Sequence, residues 1–209
     1  MPVTTSQMEA ALRRWADKLD ETAPELNRLD GQLGDGDLGA TLEKCAARVR
    51  IALDAGPHAD LGLLFKACAQ GCARASGSSF GTLLTVAFLT LARRLENQPT
   101  LASRDVPAAL QAALDAMSQR GGAKLGDKTV LDTLAAARDA IHGLDDPRAQ
   151  HAAASAAVEE TIATFRSRPN RIGRARMFGE RSVGLDDPGM IAFRHMLAGI
   201  APAASSNEP

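Results

Sequence analysis

Tyrosine is missing altogether, and Phe and Trp bring aromatic residues to only 3% of the 209 positions. Recognition of single strands by stacking needs aromatic platforms, so that class of function has little to build on here. Charge of one sign is not in excess either. The 24 Lys and Arg stand against 25 Asp and Glu, a net charge of −1, which gives no global pull toward nucleic acid or an anionic membrane. Long apolar runs are lacking: the stretch Leu83 to Ala92 is too short to span a bilayer and is followed by Arg93 and Arg94. The opening MPVTTSQMEAALRRW has no apolar signal core. Three cysteines, Cys45, Cys68 and Cys72, leave one unpaired in any disulfide scheme and lack the Cys/His pairing of a zinc module. They read as small core residues in a reducing compartment. A cytoplasmic protein is expected, with neither nucleic acid nor membrane among its partners.

Alternation of period two between turn residues is absent as well, which excludes most strands. What is present is helical periodicity almost throughout. Ser6 to Glu9 fits a capping box ahead of Met8, Leu12, Trp15 and Leu19. Pro24 suits the first turn of a short second helix ending near Leu29, and Leu38, Leu42, Cys45, Val49 and Leu53 line one face of the next. Further helices are expected over 60–74, 79–97, 105–120, 127–142 and 148–166, with a last one from Asp187-Pro188. The short second segment aside, this predicts an all-α fold, an antiparallel bundle of about eight helices. Residues 1–203 are expected to form one domain and 204–209 a polar C-terminal tail.

Glycine concentrates in four loops, 31–39, 77–81, 121–126 and 173–189, where backbone can approach a ligand closely. The first, LDGQLGDGDLG, places Asp30, Asp35 and Asp37 within eight residues. Like charges that close repel, and hard cations such as Mg²⁺ take oxygen ligands of this kind. The spacing is not that of an EF-hand, since Thr41 stands twelfth from Asp30. The alternative is a set of solvated turn and N-cap aspartates. The second, ASGSSFGT, precedes an apolar helix and offers either an anion cradle or an ordinary cap. The third, GGAKLGDKT, is no P-loop, because Asp127 intervenes between Gly126 and Lys128 and no strand leads into it. It is a nucleotide-contacting loop or a connection with Asp127 as N-cap. The fourth carries Arg166, Arg168, Arg171, Arg174, Arg176 and Arg181, guanidinium forks that match phosphate oxygens or remain solvated.

In this order and at these separations the four stretches resemble the nucleotide-binding subunit of dihydroxyacetone kinase, the DhaL-type family. The blocks that carry the resemblance are LDGQLGDGD, ASG followed by FGT, GGAKLGDKT with LDTL, and GRA, GERS, G and DPG. It implies a barrel of eight antiparallel helices with nucleotide and Mg²⁺ in the loops at one end. It implies that Asp30, Asp35 and Asp37 hold Mg²⁺ bridging the phosphates of ADP or ATP, with Arg174 facing phosphate as the fourth catalytic group. Leu38, Gly39, Ala40, Thr41, Ala75, Ser76, Gly77, Gly121 and Val130 would contact the nucleotide, and Asp187, Pro188 and Gly189 would close the site. The chain departs from the family pattern at Leu38 and Leu185, where His is common, at Ala73-Arg74 in place of Gly-Gly, and at Ser78-Ser79 in place of Pro-Leu.

The implied function is phosphotransferase of the glycerone kinase type, within a multi-subunit complex. The acceptor, dihydroxyacetone or a related small keto-sugar, sits on a separate DhaK-type substrate-binding subunit. In one version of the family ATP binds, reacts and leaves; in the other, bound ADP is rephosphorylated by a phosphotransfer-system protein. A second reading keeps fold and nucleotide but not turnover: a catalytically inactive regulatory adaptor.

Overall fold

The computed structural model describes residues 2–75 and 78–202. Eight α-helices carry the described chain: α1 (Thr5–Leu33), α2 (Leu38–Asp54), α3 (Leu61–Ala75), α4 (Ser79–Arg94), α5 (Val106–Gly121), α6 (Val130–Ala140), α7 (Pro147–Phe165) and α8 (Pro188–Gly199). Each packs against the next, and α8 returns to both α6 and α1, so the antiparallel ring closes. Inside it, Leu19, Leu26, Leu42, Val49, Leu61 and Leu64 are fully buried. Phe88 stacks on Phe65 at 5.9 Å between ring centroids and meets the edge of Trp15 at 6.0 Å. Cys45, Cys68 and Cys72 are buried with free thiols, and burial pushes the Cys68 thiol up to about 12. Among the described residues no helix is long and apolar enough to cross a membrane.

Four expectations from the sequence need correction. The capping box belongs to Thr4 and Gln7, two residues earlier than Ser6 and Glu9. Pro24 starts no helix; α1 runs through it. An interior proline costs about 3 kcal/mol, but Leu19, Ala23 and Leu26 around it are at most 1% exposed, buried where α1 meets its neighbours, so packing offsets the loss. A small sheet does exist: β1 (Val3–Thr4) pairs antiparallel with β2 (Thr100–Leu101), Val3 opposite Leu101 and Thr4 opposite Thr100. Two residues per strand are too few for alternation to register in a sequence. Finally, Asp127 does not cap α6. Thr129 does, in a capping box with Asp132, because Lys128 takes a left-handed φ of 63° and delays the helix.

In a ring of antiparallel helices every second connection lies at the same end. Here those connections include 34–37, 122–129 and 166–187, which lead into the N-termini of α2, α6 and α8, and at the same end Ser78 leads into α4. The connection 166–187 contains a 3₁₀ segment, Arg174–Ser182, kinked at Gly179. The glycine-rich stretches, the second through its described residues 78–81, therefore meet at one rim, with four helix N-termini and their partial positive charge directed at it. Residues 204–209 lie outside the described residues.

Candidate functional site

The rim surrounds a cavity of about 540 Å³. Its acidic side is built from the α1–α2 connection. Asp30, in the last turn of α1, accepts hydrogen bonds at Oδ2 from the amides of Asp37 (2.9 Å) and Leu38 (3.2 Å), so one carboxylate both ends α1 and starts α2. Gly36 turns the chain at a φ of 77°. Asp37 sits at the N-cap of α2 yet makes no side-chain cap bond, which leaves its carboxylate directed elsewhere. One carboxylate oxygen from each of Asp30, Asp35 and Asp37 lies within 4.8 Å of the others. That arrangement fits a hard divalent cation, which takes carboxylate oxygens. The reading as simple helix caps accounts for Asp30 alone.

Arg174, reached from the far connection, pairs with Asp35 across the cavity mouth. Both side chains are about half exposed, so the pair itself adds little to stability. Of the six arginines in that stretch, Arg174 alone lines the cavity. Arg166 forms a two-pronged pair with Asp186 at 2.8 and 2.9 Å, and Arg168 lies 4.3 Å over the Phe165 ring.

The rest of the lining is mainly apolar, with Arg120, Asp187 and the hydroxyl residues Ser78, Ser79, Thr82 and Thr129 as its polar members. Its Phe80, Leu83, Met117, Val130 and Ile172 belong to a second, smaller hydrophobic cluster between α4, α5 and α6. At the start of α8, Asp187 caps the helix by accepting from the Met190 amide at 2.9 Å and from Asn170 Nδ2 at 2.8 Å. Burial pushes its carboxyl up to about 6, against the pull of these hydrogen bonds and of Lys128.

Of the residues singled out in the sequence, the cavity brings together Asp30, Asp35, Asp37, Leu38, Gly121, Val130, Arg174, Asp187, Pro188 and Gly189. Gly39, Ala40, Thr41 and Ala75 do not line it. Gly39 is needed for another reason: a Cβ there would stand 2.0 Å from the Ala23 carbonyl oxygen, where α2 presses on α1. Ser76 and Gly77 lie outside the described residues. Sequence reasoning missed Asn27, whose Oδ1 accepts from the Ala40 amide at 3.1 Å and fixes the start of α2. Its signal was available, since it precedes Asp30 by three residues on one helix. The apolar residues of the lining were missed too, although Phe80 lies within the second glycine-rich stretch.

The sequence profile of the DAK2 domain matches residues 32–202. The chain is 33% identical over 196 residues to an L-erythrulose 1-kinase of Mycolicibacterium smegmatis, covering 90% of this chain and 34% of that protein. It is 27% identical over 209 residues to the ADP-binding subunit DhaL of the PEP-dependent dihydroxyacetone kinase of Escherichia coli, covering 98% and 99%. The chain thus spans about a third of the erythrulose kinases it matches and nearly all of the bacterial subunit. Its fold is that of the C. freundii dihydroxyacetone kinase crystallised with AMP-PNP and Mg²⁺, with a TM-score of 0.75 at 24% identity, over 96% of this chain and 34% of that one.

Proposed function

The chain belongs to the DAK2-domain family, and we propose that it is the nucleotide-binding, phosphoryl-transferring component of a kinase for dihydroxyacetone or a related keto-sugar such as erythrulose. The observation that carries this reading is the convergence of Asp30, Asp35 and Asp37 to within 4.8 Å opposite Arg174, beside a mainly apolar lining. A cavity acidic at its mouth and mainly apolar behind suits a ligand with a metal-bound polyphosphate at one end and a flat base at the other. Relatives named as ADP-binding subunits and as erythrulose kinases support the same assignment.

In this reading Asp30, Asp35 and Asp37 hold Mg²⁺, and residues 1–203 act as one nucleotide-binding domain. Bound Mg²⁺ supplies positive charge that offsets the charge on the transferring phosphoryl group and its bridging oxygens. The protein's own part is positional. The helix N-termini direct amides toward phosphate. Arg174 exchanges Asp35 for a phosphate oxygen, so its fixed fork faces the group in transfer. The wall of Phe80, Leu83, Met117 and Ile172 excludes water from one side of the nucleotide. Asp187, Pro188 and Gly189 border the cavity from the fourth connection. Among the described residues lining the cavity there is no His or Lys to pair with a ketose, and in this reading the acceptor is held by a separate DhaK-type subunit.

Calorimetry of ADP with and without Mg²⁺ tests the nucleotide half; binding that ignores Mg²⁺ would overturn it. Reconstitution with a DhaK-type subunit and dihydroxyacetone tests the other half. Phosphorylated product is expected, whereas nucleotide binding without turnover would identify an adaptor. ADP that survives gel filtration on the chain would point to a phosphotransfer-system donor; ADP that washes off, to exchange with ATP.

A further inference from the structure

Among the described residues the largest fully buried side chain is not apolar. It is Lys128, 1% exposed, in the connection between α5 and α6. It does not line the cavity. Its Nζ donates to the carbonyl oxygens of Arg168 (2.8 Å) and Ser182 (3.0 Å). Its own carbonyl accepts from Asn170 Nδ2 at 3.0 Å, and the same nitrogen reaches Asp187 at 2.8 Å. Asn170 also donates its backbone N–H to Ser182 Oγ (2.8 Å), while the neighbouring Arg171 amide reaches the Asp127 carbonyl (3.1 Å). Asn170 Oδ1 is left buried without a partner, so the amide is oriented by its two acceptors.

A buried ammonium is costly unless its donors are satisfied, and a methionine would fill the same space without that cost. The two carbonyls that Lys128 engages lie on the same long connection, one on each side of Arg174. Between them this stretch has no α-helix to stiffen it, only the 3₁₀ segment kinked at Gly179. We propose that Lys128 is a positioning residue: by clamping both limbs of the 168–182 loop it holds the Arg174 guanidinium over the carboxylate side of the cavity. The proposal rests on the nucleotide reading above, in which Arg174 serves the phosphates.

Lys128→Met removes the donors and the charge while keeping the stem. Two measurements follow: hydrogen exchange on the ligand-free chain, and affinity for ADP–Mg²⁺ and for adenosine by competition against a fluorescent ADP analogue. Amides between 168 and 182 are expected to exchange faster, with those of α1 to α4 unchanged. ADP affinity is expected to fall about tenfold, the scale of a lost charge-assisted contact, while adenosine affinity holds. In an Arg174→Ala background the same change should add nothing further. A merely structural lysine would weaken ADP and adenosine alike, or act independently of Arg174, and either result overturns the proposal. Should Lys128→Met fail to fold, Asn170→Ala, which cuts the same clamp from the other side, is subjected to the same measurements. If the wild-type chain binds no ADP–Mg²⁺, the nucleotide reading falls and this proposal with it. If Arg174→Ala weakens ADP but neither clamp variant does, the nucleotide reading stands and this proposal alone is lost.

Discussion

Each of the three rim aspartates is held differently. Asp30 is pinned by two amides, Asp35 by an arginine, and Asp37 by no cap bond. Replacing Asp35 and Asp37 together by Asn therefore removes one exposed ion pair and relieves repulsion, two small effects of opposite sign. Unfolding stability of the ligand-free chain is expected to change by no more than about 0.5 kcal/mol, while Mg²⁺-dependent ADP binding disappears from calorimetry. Loss of fold in this variant would instead make the two carboxylates structural. Asp187 allows a second test. Its folded-state pKa of about 6 lies above the ordinary 3.8, so the proton it takes up on folding stabilises the native state fully below 3.8. That contribution is lost as pH rises through 6. Relative to Asp187→Asn, the wild type should lose on the order of 2–3 kcal/mol between pH 4 and pH 7. Urea titrations of both proteins across that range give the difference directly, and a flat difference would mean that the carboxyl is not perturbed.

At the level of elements, the start of α2 is the point where fold and site depend on one another. The Gly39 Cα faces the Ala23 carbonyl so closely that even a methyl group forces α2 away from α1, and Asn27 and Asp30 both bond to the displaced turn. Gly39→Ala is expected to cost about 2–4 kcal/mol in urea unfolding, as overpacking against unyielding backbone does. It should also weaken Mg²⁺-dependent ADP binding, although Gly39 lines no part of the cavity. An unchanged urea midpoint would show that the two helices can part freely. The same helices show what periodicity conveys and what it hides. Leu38, Leu42, Cys45, Val49 and Leu53 repeat at helical spacing and are all buried in α2, because burial on one face is what the repeat encodes. Pro24 misled, since a breaker's effect is local while the packing that overrides it comes from distant segments. The capping of α6 by Thr129 depended on the left-handed turn at Lys128, which a lysine does not advertise.

For the molecule as a whole, the position of the candidate site was legible because the four glycine-rich stretches differ from the helix bodies in composition. Their convergence follows from counting: helices that alternate in direction bring every second connection to one end. What the sequence could not display is which side chains cross from one connection to the next, as Lys128 and Arg174 do, since those contacts join positions dozens of residues apart. The same geometry predicts that ligand binding is a whole-molecule event, because residues of the connections that follow α1, α5 and α7, together with Ser78 at the start of α4, all line the cavity. ADP at a hundred times its dissociation constant adds about 2.7 kcal/mol to the native state. For a chain of this size that raises the melting temperature by roughly 5–10 °C. The rise is expected only when Mg²⁺ is present and should vanish on chelation with EDTA. Hydrogen exchange should slow together at the first turns of α2, α4, α6 and α8, leaving the opposite end, with β1 and β2, as it was. Protection confined to the α1–α2 connection would mean that the acidic cluster binds its cation without drawing the other three connections onto a shared ligand.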